Sequence, residues 1–518
     1  MWKTRTTKTA SGKTAIQVVQ RAHQKTKIIK HIGSGKTKSE IADLQQLASE
    51  YIRLHSPFQS LFSDLLGPVL QTQSRLISAD HLVVKRTSRQ FSYEILSFFY
   101  AYNGFSQLHN ALLEDLAIIR IIEPASKIRS LILLKRYFGK TYGHDRLYDG
   151  LKELTTQKER IEQIALSFAK QRLYFDCSLV FYDVTTLYFE TFKSDEDITD
   201  EKRRVIAKGF RKKGFSKDNK PNQPQIMIGL VVTKEGYPIA IDWFCGNTFE
   251  GHTMVPVILA LKKKHQIEIL TVIADAAMLS IDNMKELKEH ELKYIVGARI
   301  KNLSPTTREA IAAKLNKTEN IYYKEKTDSG ALLCAYSHKR AAKDKLDREN
   351  QIKKAQKQLK DGKIPVRATR FLRTTKETVW ELNQELIEKD KLLDGIKGYY
   401  TNVDLPEQLI INRYKDLWHV EKAFRITKSD LEARPVFHHK QKTIEAHMLI
   451  VFVSLCVAKS IELLTHVSIK KVVDGILQIE DITFEDTLTK TEFTKRMDIS
   501  TNRIAQIVEK LQKNEKKS

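Results

Sequence analysis

SLVFYDVTTLYFE, running from Ser178 to Glu190, decides how the middle of this chain is read. It is crowded with β-branched and aromatic residues and reads as two short strands or one bent strand, with Asp183 following the apolar run Leu179–Tyr182. TVIADAAMLS (Thr271–Ser280) repeats the arrangement, putting Asp275 at the end of a strand-like run and starting a helix near Ser280. Between them, QIMIGLVVTKEGYPIAIDWF (Gln225–Phe244) predicts two strands joined by a turn at Lys234-Glu235-Gly236, and a helix follows from about Thr253. KYIVGAR (Lys293–Arg299) adds another strand. Periodicity alone therefore defines a mixed α/β region. Aspartates at strand ends are where such architectures present chemistry, although a lone Asp there is more often a turn or cap residue.

A third carboxylate comes from YKDLWHVEKAFRITK (Tyr414–Lys428). On a helix, Trp418, Glu421, Arg425 and Lys428 share one face, while Leu417, Val420 and Phe424 form an apolar stripe that docks it. An amphipathic helix laced with ion pairs would look the same. Two strand-borne aspartates and a helical glutamate together make a candidate hard-cation site, because carboxylate oxygens suit Mg²⁺ or Mn²⁺.

Asp183, Asp275 and Glu421 resemble the Asp-Asp-Glu triad of DDE insertion-sequence transposases, in the Tn-five-like, IS-four-like subgroup marked by Y-(2)-R-(3)-E-(6)-K. Tyr414, Glu421 and Lys428 match that signature at its spacing, and Leu417 occupies the Arg position. The resemblance extends through YDVTTLYFE, Gly229–Thr253 and DLEARPVFHH (Asp430–His439), and so spans most of the chain from about Ser178 to about Leu464. It implies a ribonuclease-H-like catalytic core and two Mg²⁺ ions, replaceable by Mn²⁺, held by Asp183, Asp275 and Glu421, with Asp183 shared. It further implies cleavage at the ends of a mobile element and strand transfer into target DNA. Tyr414, Lys428 and Arg425 would orient phosphates, Arg425 standing in for the missing arginine. Trp380 is a candidate for stacking on a flipped base, or else packs its own neighbourhood.

The 518 residues carry 87 Lys+Arg against 63 Asp+Glu, a net charge of +24, which favours a polyanionic partner such as DNA. Cys177, Cys245, Cys334 and Cys456 form no CxxC pair, which argues against a zinc site or disulfide scaffold. No secretory h-region is visible, and the apolar run Met448–Ala458 reads as a buried helix, too short to span a membrane. The expected setting is the cytoplasm of a bacterial-type cell, on the nucleoid when bound.

Five regions are expected. Residues 1–173 form a basic arm and a helical DNA-binding region that would read the terminal repeats; 174–299 begin the core; 300–394 are a β-rich and helical insertion; 395–465 complete the core; and 466–518 form a helical tail. Within them, Ser39 is a plausible N-cap for the helix SEIADLQQLASEYI. Lys127, Arg129, Lys135 and Arg136 are candidate DNA readers if exposed. The polar segment after Asp183 mixes Lys208, Arg211, Lys212, Lys213, Lys217 and Lys220 with Phe210 and Phe215, a composition suited to a DNA backbone or an unstacked base. His438 and His439 lack a third ligand at metal spacing. Cutting two ends in one complex implies at least a homodimer on paired double-stranded DNA ends, with no membrane. Two other readings stay open: an RNase-H-like DNA nuclease, and a catalytically lapsed, transposase-derived DNA-binding protein, which Leu417 favours.

Overall fold

The computed structural model describes residues 2–22, 25–55, 81–175, 178–200, 204–216, 220–278, 280–360, 370–374, 380–433, 436, 438–487 and 489–515. Cys177, Lys217 and the Arg434-Pro435 pair of DLEARPVFHH lie outside them. The chain divides into two compact units, one made of residues 1–95, 132–141 and 471–518, the other of residues 96–131 and 142–470.

In the first unit, antiparallel strands Trp2–Lys8, Thr14–Ala22 and Lys25–Gly35 form a sheet against which helix Lys38–His55 buries Leu44 and Ala48 over Ile16, Val18 and Ile32. The helix is capped by Thr37 rather than Ser39. The Glu40 amide donates to the Thr37 hydroxyl, and the Glu40 carboxylate accepts from the Lys36 and Thr37 amides at 2.6 and 3.1 Å, a reciprocal box. A second sheet corrects the expectation of a purely helical tail. Asp481–Asp486 pairs with both Glu492–Arg496 and Leu82–Ser88, and only Arg503–Glu515 closes the chain as a long helix.

The second unit is built on one eight-stranded mixed sheet. Its strands in chain order are β1 (Leu179–Tyr188), β2 (Gln225–Val232), β3 (Pro238–Cys245), β4 (Thr271–Ala274), β5 (Lys293–Ala298), β6 (Tyr322–Thr327), β7 (Gly330–Tyr336) and β8 (Ile396–Thr401). Spatially they run β6-β7-β8-β5-β4-β1-β2-β3. β1, β2 and β3 are antiparallel neighbours, β4 and β5 follow parallel to β1, and β8, β7 and β6 complete the edge antiparallel. Both faces of the centre are covered, so β2 is buried along its whole length and β1 everywhere but at Asp183 and Tyr188. The region between Ile300 and Asp394 is thus partly woven into the sheet through β6 and β7. The remainder includes helix α1 (His338–Lys360), which packs Ala355 with Phe371, Leu372 and Ile387 in a small core of its own.

Helices Ala111–Ile122, His144–Leu154 and Lys158–Arg172 belong to the same unit. So does helix α2 (Gln441–Thr465), apolar enough by length and composition to cross a membrane; 83% of its most apolar window is buried within the protein, as a core helix would be. It presses against Ala111–Ile122 and His144–Leu154. Lys127 is not an exposed DNA reader. It is 4% exposed, and its ammonium meets His447 Nδ1 of α2 at 3.0 Å. Arg129, Lys135 and Arg136 are exposed.

Candidate active site

Asp183 lies within a single continuous strand, not at its end. The parallel pairing of β4 with β1 matches Thr271 to Leu179 and Ala274 to Tyr182, so Asp275, the next residue, emerges beside Asp183 at the mouth of the sheet. Each carboxylate accepts from the backbone amide that follows it, Asp183 from Val184 at 2.8 Å and Asp275 from Ala276 at 2.7 Å, which fixes where both point. Asp183 is half-buried and Asp275 exposed.

After β8, helices α3 (Glu407–Lys415) and α4 (Trp418–Arg425) bring the chain back. On α4, Val420, Ala423 and Phe424 are buried and the helix packs across β1 and β2, leaving Glu421 exposed. Tyr414, near the end of α3, is 4% exposed and donates its hydroxyl to Asp275 Oδ1 at 3.3 Å. Burial, the Asp275 charge and that bond raise the Tyr414 hydroxyl well above the ordinary tyrosine range, with Tyr399 and Glu421 adding to it, so it stays a donor. Gly297 of β5 makes room for it, since a Cβ there would stand 2.6 Å from the Tyr414 oxygen.

α4 does not run straight on to Lys428. From Ile426 to Asp430 the backbone widens into a π-helical turn, with the Leu431 amide bonded to the Ile426 carbonyl at 2.9 Å. Lys428 is therefore half-buried in that turn and rotated off the single α-helical face expected for it, while Arg425 remains exposed on α4. Leu417, in the signature's arginine position, is 7% exposed and offers no cation.

Sequence reading missed one residue here, Lys397 of β8. Its ammonium stands 4.3 Å from the centre of the Tyr414 ring. Burial and Arg340 pull it below the ordinary lysine range, while Asp275 and Glu421 pull the other way. A lone lysine in IKGYYT gives no signal; only the pairing of β8 with β5 brings it to the site.

The other singled-out residues lie elsewhere. Trp380 is half-buried against the core of Ala355, Phe371, Leu372 and Ile387. Lys212 is tied to Asp197 at 2.7 Å, its backbone bridges to Gln225, and Lys213 beside it is exposed. Phe210 is buried and Phe215 is 81% exposed. His439 faces Arg211 at 3.1 Å. Among the described residues no three Asp, Glu, His or Cys groups stand close enough to hold a metal ion. The donor chemistry of Asp183, Asp275 and Glu421, all carboxylate oxygen, nonetheless suits a hard divalent cation.

A sheet ordered β3-β2-β1-β4-β5, with aspartates side by side on β1 and after β4, is consistent with a ribonuclease-H-like transposase core. The chain belongs to the family described as the transposase DDE domain, whose profile matches residues 177–457, more than half of its length. No curated protein gives a significant match. Among solved structures, a piggyBac transposase synaptic complex with hairpin DNA is similar at 10% identity and a TM-score of 0.35, covering 74% of this chain and 70% of that one. A Mos1 transposase paired-end complex with left transposon end matches at 12% identity and a TM-score of 0.15, covering 34% and 48%. A Mos1 mariner paired-end complex with Mn matches at 12% identity and a TM-score of 0.16, covering 32% and 48%.

Proposed function

We propose that this chain is a DNA transposase of the Y-(2)-R-(3)-E-(6)-K subgroup, binding the terminal repeats of an insertion sequence and catalysing metal-dependent strand cleavage and strand transfer. The observation that carries the reading is the juxtaposition of Asp183 and Asp275 on neighbouring parallel strands, with the Glu421 helix packed across the same strands. Asp183, Asp275 and Glu421 would hold Mg²⁺ or Mn²⁺. Bound there, such ions supply the positive charge that activates the attacking oxygen and stabilises the leaving one.

The chain's own residues do the rest. Tyr414 holds the Asp275 carboxylate in one orientation through its hydroxyl. Arg425, exposed one turn beyond Glu421, and Lys428 in the π turn orient the scissile strand. Lys213 and the exposed Phe215 extend the contact along the DNA, and the net charge of +24 draws the duplex in. Two ends cut in one complex call for a homodimer, working in the cytoplasm on the nucleoid.

The test is cleavage and strand transfer on labelled DNA carrying the element's end, with Mg²⁺. Metal-dependent cutting that disappears in Glu421→Ala while end binding persists supports the reading; undiminished cutting by Asp183→Ala sinks the assignment. A second reading, a lapsed DNA-binding protein, is favoured by the buried Leu417 in the arginine position. Tight end binding with no cutting by the wild type would establish it. Cutting of branched DNA without strand transfer would instead mark a nuclease.

A further inference from the structure

Behind Asp275 lies a cavity of about 580 Å³, walled on one side by β5 and β8 and on the other by α1, with Tyr414 at its rim. Its lining is rich in charge, and most of that charge is already spent. Arg348 is bonded to Asp394, Arg370 and Lys301 both reach Asp390, and Arg340 bridges to Asp344 at 3.4 Å. Two lining cations remain, Lys397 and Arg299, and neither makes an ion pair with any described residue.

An unpaired ammonium in a half-buried position is costly to keep unless an anion arrives to meet it. The stem of Lys397 is fixed in β8 and its head is held over the Tyr414 ring, on the side of the cavity that opens beside Asp275. Burial and Arg340 hold it below the ordinary lysine range, with Asp275 and Glu421 pulling the other way, so the added charge of a phosphate would favour its charged form. Cations fixed beside carboxylates suited to metal, with no acid of their own, match the charge of a phosphodiester entering from the mouth of the sheet.

We propose that Lys397 and Arg299 form a phosphate-binding subsite in this cavity, gripping a backbone phosphate of the DNA strand next to the one presented at Asp183 and Asp275. The subsite rests on the transposase reading for its ligand. It supplies from β8 the positive charge that Leu417 cannot supply from the start of α4.

The experiment compares wild type, Lys397→Met, Lys397→Arg and Arg299→Met on a labelled duplex carrying the DNA that flanks the gene. Binding is followed across a salt series and cutting in Mg²⁺, with single methylphosphonates scanned along the strand. Methionine keeps the aliphatic stem over Tyr414 and removes the charge. Lys397→Met is expected to lower the salt slope by about one and to lose sensitivity to one methylphosphonate. Its cutting should slow by about tenfold or more, as for loss of one preorganised charge contact. Lys397→Arg should restore all three, and Arg299→Met should lower the slope and weaken sensitivity to the same methylphosphonate, with a smaller loss of cutting. Unchanged slope, rate and interference pattern in both methionine variants would overturn the subsite and leave the transposase standing. A wild type that binds without cutting, with slopes that still fall in the variants, keeps the subsite and removes the transposase reading. Should Lys397→Met fail to fold, the slope of Arg299→Met, at an exposed position, decides.

Discussion

The Tyr414 hydroxyl donates to Asp275 across 3.3 Å, linking the helix that precedes Glu421 to the carboxylate at the end of β4. Tyr414 is buried, so its ring is held by packing and only the hydroxyl is specific to the site. Tyr414→Phe should keep the melting temperature within a few degrees and end binding within about twofold. Cutting should slow by roughly tenfold, because one hydrogen bond to a charged group is worth about 1.5–3 kcal/mol. A rate indistinguishable from wild type would show that Asp275 needs no such support.

Gly297→Ala reaches the same hydroxyl from the other side. Its new Cβ would stand 2.6 Å from the Tyr414 oxygen and 3.2 Å from the Ala276 Cβ, so the tyrosine must move off Asp275 or β5 must shift. Overpacking of this kind costs about 1–3 kcal/mol. The variant should therefore melt lower than wild type and cut at least as slowly as Tyr414→Phe. In the double variant with Tyr414→Phe, which removes the oxygen, the stability loss should shrink; measuring all three melts checks the geometry.

Beside Glu421, Lys422 bonds to Glu462 of α2 at 3.0 Å, Lys459 reaches the same carboxylate at 3.4 Å, and the Ile469 amide donates to it at 3.1 Å. Burial pushes the Glu462 carboxyl up, but the Lys422 bond, the Lys459 charge and the Ile469 amide outweigh it and hold the group below the usual glutamate range. Its stabilising contribution is therefore complete above the ordinary glutamate value and is lost as pH falls through the lowered one. Glu462→Ala leaves the buried Lys459 unpaired and should cost about 3 kcal/mol in chemical denaturation. The mutant should also cut more slowly at temperatures where it is still folded, since α4 loses its tether.

Acid should weaken the protein through a second group. Burial, with Lys127, Arg120 and His439 nearby, lowers His438 from the usual 6.5 to about 4, and His447, its ring 5.7 Å away, is also held well below the usual value. Both are neutral in the fold, whereas the unfolded chain takes up protons near pH 6.5. The resulting stability is full above that value and drains away as pH falls from about 6.5 towards about 4. Thermal melts across this window should slope downward, and less steeply in His438→Gln. An equal slope in the variant would place the acid sensitivity elsewhere.

What sequence made legible was local. Apolar runs and turn residues marked β1, the β2–β3 hairpin, β4 and the amphipathic helix of Glu421, because each signal sits within a few residues. The pairing of Leu82–Ser88 with Asp481–Asp486 joins segments about three quarters of the chain apart, and no local pattern announces it. Lys127 looked like a solvated charge because only its fold neighbours, such as His447, reveal that it is buried. Lys397 was silent for the same reason: β8 owes its place to β5 and β7, and nothing in its own residues points to Asp275. The T-x-x-E box at Thr37–Glu40 was readable, and Ser39 was the wrong residue to favour within it.

The strand order also sets a timetable for assembly. β1 to β5 all precede β8 in the chain and α4 follows β8, so Asp183 leaves the ribosome long before Glu421 exists. At about 5–20 residues per second, synthesis separates them by on the order of ten seconds or more. During that interval the three N-terminal strands and the helix that follows them are already made, while the second unit still lacks Glu421. The carboxylate on α4 is thus the last of the three to be made, and the proposed metal site cannot close until synthesis has passed it.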